Sequence, residues 1–227
     1  MSRRREDLPE GSWLWLHDFA RWLGTWIFAL PFRLTVRYPQ RIPRSGPVVV
    51  VANHSSFLDG PLVFALVRRR SVFLIKDEMF TGALGWVLPK IGQLSVRRGV
   101  PDRAPLTAAV RVLRAGGLVG VFPEGGRGAG DVTDARNGAA WLARTTDAVV
   151  LPIACRGTRR APESGFRRRV DVLIGEPFAV CADRGKAGLA VATEQLREAL
   201  AKLVAELDQI RADEAAGRGE KAGSGHE

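Results

Sequence analysis

The chain has 227 residues, enough for one domain of ordinary size with short appendages and for a sizeable core. Hydrophobic residues at 46% and charged residues at 26% exclude a wholly disordered chain, and two cysteines exclude a disulfide scaffold or a four-cysteine zinc site. The net charge of +10 points to a polyanionic partner: nucleic acid, an anionic membrane surface or a phosphorylated substrate.

The N-terminus opens on Ser2-Arg3-Arg4-Arg5 and then carries Trp13, Trp15, Phe19, Trp22, Trp26, Phe28 and Phe32, with four of the six tryptophans. Asp18, Arg21 and Arg33 interrupt it, so no uncharged stretch reaches the roughly 20 residues that span a bilayer. A signal peptide is not indicated, because no small-residue cleavage site follows the bulky tryptophans. Tryptophan favours the membrane–water interface and arginine favours anionic headgroups. Residues 1–38 therefore read as one or two short helices lying in a leaflet, broken near Pro31. The alternative is a helix packed on the domain's own core.

A body over residues 39–211 follows. Pro47–Ala52 is a β-branched run and predicts a buried strand. Pro61–Arg70 predicts a helix, Ser71–Ile75 a strand, residues 80–90 a helix and Gln93–Val96 a short strand. Ala104–Ala115 has apolar residues at helical spacing (Leu106, Ala109, Val110, Leu113) and a stop signal at Gly116-Gly117. Strands are predicted at Leu118–Phe122, Ala148–Ala154 and Arg169–Ile174, with a helix at Asn137–Ala143. Thr193–Ile210 predicts a long helix with Leu196, Leu200, Leu203 and Leu207 on one face. Residues 212–227 lose all large apolar side chains and read as a disordered tail. The alternation predicts an α/β fold: a central mixed, largely parallel sheet flanked by helices.

Ligands of open α/β sheets bind beyond the carboxyl ends of strands. Two polar clusters stand at such ends. Asn53-His54-Ser55-Ser56-Phe57-Leu58-Asp59 follows the first strand, and Pro123-Glu124-Gly125-Gly126-Arg127-Gly128 follows Leu118–Phe122. His54 is the one histidine of the α/β body. An aspartate that accepts a hydrogen bond from one ring nitrogen fixes the tautomer and leaves the other nitrogen as a base for a substrate hydroxyl. The bland alternative is a packing histidine beside a solvated Asp59. In the second cluster the glycines admit close backbone approach and Arg127 presents a fork to phosphate, or the segment is a tight turn with an ion pair. It lacks the lysine of a phosphate loop, and it lies too late for a dinucleotide fingerprint.

Asn53-His54-x4-Asp59 together with Phe122-Pro123-Glu124-Gly125 resembles the glycerolipid acyltransferase family, typified by 1-acyl-sn-glycerol-3-phosphate acyltransferases. Two further blocks match in the family's order: Gly92-Gln93-Leu94-Ser95-Val96-Arg97-Arg98 and Leu151-Pro152-Ile153. The resemblance covers residues 50–155. It implies that His54 is the general base and Asp59 its support. The acceptor hydroxyl would then attack an acyl thioester of coenzyme A or acyl carrier protein. Glu124, Arg127 and Arg98 would bind a glycerol phosphate, Gly125 would allow close approach, and Pro152 would shape the pocket wall. Lys76 occupies a place where the family often carries a lysine near the thioester.

The chain departs from the family where Gly126 and Gly128 replace a threonine and a serine, and where Ser95 and Arg97 replace an aromatic and an acidic residue. The expected acceptor is 1-acyl-glycerol-3-phosphate, with another lysophospholipid, a glycolipid or an amino-lipid as alternatives. No metal or cofactor is expected, since no ligand cluster is evident. The expected partners are membrane lipids and the acyl donor, at the cytoplasmic face of the plasma membrane. The arginine runs at 68–70, 156–160 and 167–169 are either solvated loops or contacts to lipid or coenzyme A phosphates. Nucleic acid is not expected, because aromatic and basic residues do not interleave. A non-catalytic lipid-binding protein is disfavoured by the intact His54 and Asp59.

Overall fold

The computed structural model describes residues 7–97, 103–124, 130–132, 137–159, 167–181, 183 and 185–223, with side chains described to residue 217. Among them seven strands form one sheet: β1 (Arg33–Arg37), β2 (Val48–Ala52), β3 (Ser71–Lys76), β4 (Leu94–Val96), β5 (Leu118–Val121), β6 (Val149–Arg156) and β7 (Arg169–Ile174). Their spatial order is β1-β7-β6-β2-β5-β3-β4. Every neighbouring pair is parallel except β6 with β7. The flanking helices are α1 (Leu14–Ala29), α2 (Asp59–Leu66), α3 (Gly82–Lys90), α4 (Ala104–Arg114), α5 (Gly138–Thr146) and α6 (Lys186–Gly223).

β2 lies at the centre, and all five of its residues are buried. Val48, Val50 and Ala52 enter one core with α2 residues Leu62, Val63 and Phe64. Val49 and Val51 enter the other, with Ala109 and Leu113 of α4 and Ala139 and Leu142 of α5. A strand covered on both faces needs a continuous apolar run, which this one has. From β2 the chain crosses to β3 on one side, and β6 lies on the other. Its carboxyl end is therefore the topological switch point of the sheet.

Most elements lie where the pattern predicts them. α4 ends as its glycines require: Gly116 has φ +83°, its N–H donates to Leu113 O at 2.8 Å, and Gly117 N–H donates to Val112 O at 2.8 Å. Strand β1 was not predicted. It pairs in parallel register with β7, Arg33 beside Arg169 through Arg37 beside Leu173. The expected interfacial segment therefore runs into an integral edge strand before its boundary at residue 38.

The expected disordered tail is corrected over its first part. α6 begins at Lys186 and continues through Gly223, past Ala212. Leu196, Leu200, Leu203 and Leu207 are buried, as their spacing predicts. Beyond them a charge cluster supports the helix. Asp171 of β7 is fully buried and meets Arg37 at 3.1 Å, Arg169 at 2.6 Å and Arg211 at 2.7 Å, and Glu214 bridges Arg37 and Arg169. Residues 224–227 lie outside the described residues.

Helix α1 presents two different faces. One side of α1 is core: His17, Gly24 and Phe28 are buried, and Gly24 lets the helix approach Ala65 of α2. The other side exposes Trp15, Phe19, Trp22, Leu23, Trp26, Ile27 and Leu30. The spacing of these residues places them in one stripe along the helix. Trp86 of α3 meets Trp13 edge-on at 5.7 Å and is itself 56% exposed, so it widens the apolar surface. The helix ends at Ala29, before Pro31. Among the described residues no helix is long and apolar enough to cross a membrane.

Candidate active site

His54 leaves the end of β2, and Asp59 opens α2 five residues later. The intervening turn folds the carboxylate back under the ring, as Asp59 N–H donates to Ser56 O. Asp59 is fully buried. Its Oδ2 accepts the backbone N–H groups of Ser55 and Ser56, each at 2.7 Å, and lies 3.4 Å from His54 Nδ1. That last distance is long for a hydrogen bond, and among the described residues Nδ1 has no other partner. Catalytic hydrogen bonds often stand long in a free enzyme and shorten on substrate binding. The His54 side chain is 16% exposed, so the ring is partly accessible, whereas Asp59 beneath it is not.

Stacking also holds the ring. Phe122, at the end of β5, lies 4.4 Å from the imidazole at 30°. Phe73 of β3 backs Phe122 at 6.1 Å. Phe73 fits there because Gly120 has no side chain; a Cβ at that position would stand 2.2 Å from the Phe73 ring. The second cluster thus reaches the first through an aromatic and through a carboxylate. Glu124 Oε1 accepts the backbone N–H of His54 at 3.0 Å. Burial pushes the Glu124 carboxyl above its usual range, and the hydrogen bond from His54 opposes that shift.

Other predicted residues fall elsewhere. Lys76 Nζ pairs with Glu78 Oε1 at 2.6 Å, and among the described residues no hydrogen bond or ion pair joins it to His54, Asp59 or Glu124. Gly125, Arg127 and Arg98 lie outside the described residues, as do Gly126 and Gly128. Pro152 is an interior residue of β6, opposite Val51 of β2.

The arginine runs mostly brace the fold. Arg69 donates to the carbonyls of Pro43, Gly46 and Gly116. Arg70 pairs with Asp18 of α1 at 2.8 Å. Arg156 pairs with Asp208 of α6 at 2.7 Å and Asp131 at 2.9 Å. Arg168 donates to Thr158 O at 2.7 Å, and its guanidinium lies 4.9 Å over the Phe32 ring. For Arg69, Arg70, Arg156, Arg168 and Arg169, carbonyls and carboxylates of the chain itself take up guanidinium donors.

Two residues received no role from the sequence. Asn53 is fully buried and splints the sheet end: its Nδ2 donates to Cys155 O at 3.0 Å and Gly130 O at 3.1 Å, and its Oδ1 accepts Cys155 N–H at 2.8 Å. Thr158 Oγ1 donates to Asp59 Oδ1 at 2.5 Å. The available signal for Thr158 was its position, immediately after a glycine at the end of a strand beside the switch point.

A largely parallel sheet with a histidine–carboxylate pair at its switch point is the architecture of an α/β enzyme. The chain belongs to the Acyltransferase family, whose model matches residues 33–156. It is an O-acyltransferase by its relatives. It is 28% identical over 191 residues to 1-acyl-sn-glycerol-3-phosphate acyltransferase of Bacillus subtilis, covering 81% of this chain and 94% of that one. It is 39% identical over 106 residues to lyso-ornithine lipid O-acyltransferase of Pseudomonas aeruginosa, covering 46% of this chain and 39% of that one. The crystal structure of the 1-acyl-sn-glycerophosphate acyltransferase PlsC from Thermotoga maritima superposes with a TM-score of 0.64 at 25% identity, over 85% of this chain and 78% of that one.

Proposed function

We propose that this enzyme moves a fatty acyl group from an acyl thioester, of coenzyme A or acyl carrier protein, to the hydroxyl of 1-acyl-glycerol-3-phosphate, giving phosphatidic acid. The observation that carries the reading is the His54–Asp59 pair at the switch point, with Asp59 Oδ2 facing Nδ1. Nδ1 keeps its proton toward the carboxylate, and Nε2 takes the proton of the acceptor hydroxyl. The oxygen then forms its bond to the thioester carbonyl carbon. Collapse of the tetrahedral intermediate breaks the C–S bond, and the proton passes from Nε2 to the leaving sulfur, which departs as the thiol. A positioned base of this kind contributes roughly 10²–10⁴ in rate. The reaction is redox-neutral and calls for no cofactor beyond its acyl donor.

Glu124, Gly125, Arg127 and Arg98 are proposed to hold the acceptor's glycerol phosphate, and Lys76 the thioester side. The Bacillus subtilis relative, matched over most of its length and named a 1-acyl-sn-glycerol-3-phosphate acyltransferase, supports this acceptor. A second reading, an amino-lipid acceptor, is supported by the resemblance to the lyso-ornithine lipid enzyme and by Gly126 and Gly128 in place of two hydroxyl residues. The exposed tryptophan stripe of α1 supports docking of the protein on an anionic membrane surface, and the cytoplasmic face of the plasma membrane is proposed as that surface.

The test is an acceptor panel with the purified full chain, radiolabelled acyl-CoA or acyl carrier protein, and mixed micelles. Thiol release dependent on 1-acyl-glycerol-3-phosphate is expected. Release dependent on lyso-ornithine lipid alone would select the second reading, and no release with any lysolipid would refute both.

A further inference from the structure

We infer that Thr158 is a positioning residue for the transfer reaction: its hydroxyl locks the Asp59 carboxylate so that Oδ2 stays turned to His54. The inference rests on the proposed roles of His54 and Asp59.

A carboxylate rotates easily about its last bond, since such torsions have broad, roughly two-fold wells. Two backbone N–H groups hold Oδ2 of Asp59, but both come from one short turn on the same side of the group. The opposite oxygen has one donor among the described residues, Thr158 Oγ1, at 2.5 Å. Thr158 is 1% exposed and Asp59 fully buried, so bulk water does not replace that donor. Without it, Oδ1 would be a buried anionic oxygen lacking a partner, and the carboxylate would twist to recover one.

Thr158 is itself held firmly. Gly157 before it has φ +87°, and a Cβ there would stand 2.1 Å from Arg169 O. Only glycine lets the chain pass so close beneath β7 and deliver the next residue under α2. On the other side Arg168 donates to Thr158 O. The hydroxyl therefore approaches Asp59 from a backbone pinned at both ends, 99 residues away in sequence.

The experiment compares wild type, T158V, T158S and H54A as full-length protein, with oleoyl-CoA and 1-oleoyl-glycerol-3-phosphate, alongside ¹⁵N NMR of the His54 ring. T158V keeps the shape and removes the hydroxyl. Its kcat is expected to fall about 10–100-fold while both KM values stay within about twofold, as the loss of a hydrogen bond to a charged group predicts. The single ring tautomer of wild type should become mixed in T158V. T158S should recover most of the rate and the single tautomer.

A T158V enzyme with wild-type kcat and one tautomer would overturn the inference. So would a T158S enzyme as slow as T158V, which would mean that the methyl group matters and the hydroxyl does not. Activity retained in H54A would remove the general base and the Thr158 role together, whereas inactive H54A beside unimpaired T158V would remove the Thr158 role alone. Should T158V not fold, the wild-type Thr158 hydroxyl proton decides: slow exchange with water is expected, and fast exchange would refute the lock.

Discussion

Glu124 Oε1 accepts the backbone N–H of His54 at 3.0 Å, which joins two motifs seventy residues apart in the chain. The bond fixes the backbone of the turn that carries the imidazole. It also commits one oxygen of a carboxylate proposed to bind the acceptor. E124Q keeps an acceptor for that N–H, and E124A does not. E124A should therefore lower kcat about tenfold more than E124Q, while both raise the acceptor KM. Equal kcat in the two variants would show that the bond to His54 is catalytically idle.

H54A should lose at least about 10² in kcat, the contribution of a positioned base. Losing the ring forfeits its stack on Phe122, about 0.5–1.5 kcal/mol, so the unfolding midpoint should fall only modestly. D59A should lose activity and stability together. It strands the partly buried N–H groups of Ser55 and Ser56, at about 1–3 kcal/mol for each unpaired group, and leaves the Thr158 hydroxyl with Ser55 Oγ at 3.4 Å. Urea titration beside steady-state kinetics separates the two effects.

G120A should destabilise by about 1–3 kcal/mol, because the new methyl would overlap the Phe73 ring and a close-packed core yields little. Phe73 supports Phe122, and Phe122 lies on His54. The rate should therefore fall as well, even though the substitution touches no reacting group. A G120A enzyme with wild-type stability would mean that the Phe73 ring finds another rotamer at no cost.

His17 gives a pH dependence to folding. It is fully buried on α1, its Nε2 lies 3.1 Å from Ser71 O and 3.2 Å from Ser71 N, and burial holds its pKa below the usual 6.5. The unfolded chain therefore binds this proton more readily than the native state. Stability is fully present above about pH 6.5 and is lost as pH falls below it, by up to about 1.4 kcal/mol per pH unit. H17Q should flatten the melting temperature between pH 7 and pH 5. An unchanged slope in H17Q would assign the acid sensitivity to other groups.

Trp22 and Trp26 lie on the exposed face of α1, at 56% and 49% exposure. W22S/W26S should leave the melting temperature unchanged and weaken binding to phosphatidylglycerol vesicles by at least about tenfold, since each ring would leave the interface. Vesicle flotation measures this. Truncating the N-terminus would not, because the buried side of α1 and strand β1 belong to the fold.

Local patterning was enough to read the class of the fold. The valines of β2, the helical spacing along α4 and the four leucines of α6 each announce an element within a dozen residues, because burial on one or both faces imposes a period on the chain. The same holds for the chemistry of the site. A histidine and an aspartate five apart across a strand-to-helix turn are brought near each other by that turn.

Long-range contacts settled the rest. β1 is short and flanked by arginines, and it is a strand because β7 offers it a ladder. The last turns of α6 carry no large apolar residue, and Glu214 there reaches Arg37 and Arg169. Arg69, Arg156 and Arg169 read as free cations until their carbonyl and carboxylate partners arrive from distant segments. Thr158 and Asn53 meet their partners 99 and 102 residues away. Period and residue type are properties of a short stretch of chain. The partner of a buried polar atom is set by how the whole sheet closes around it.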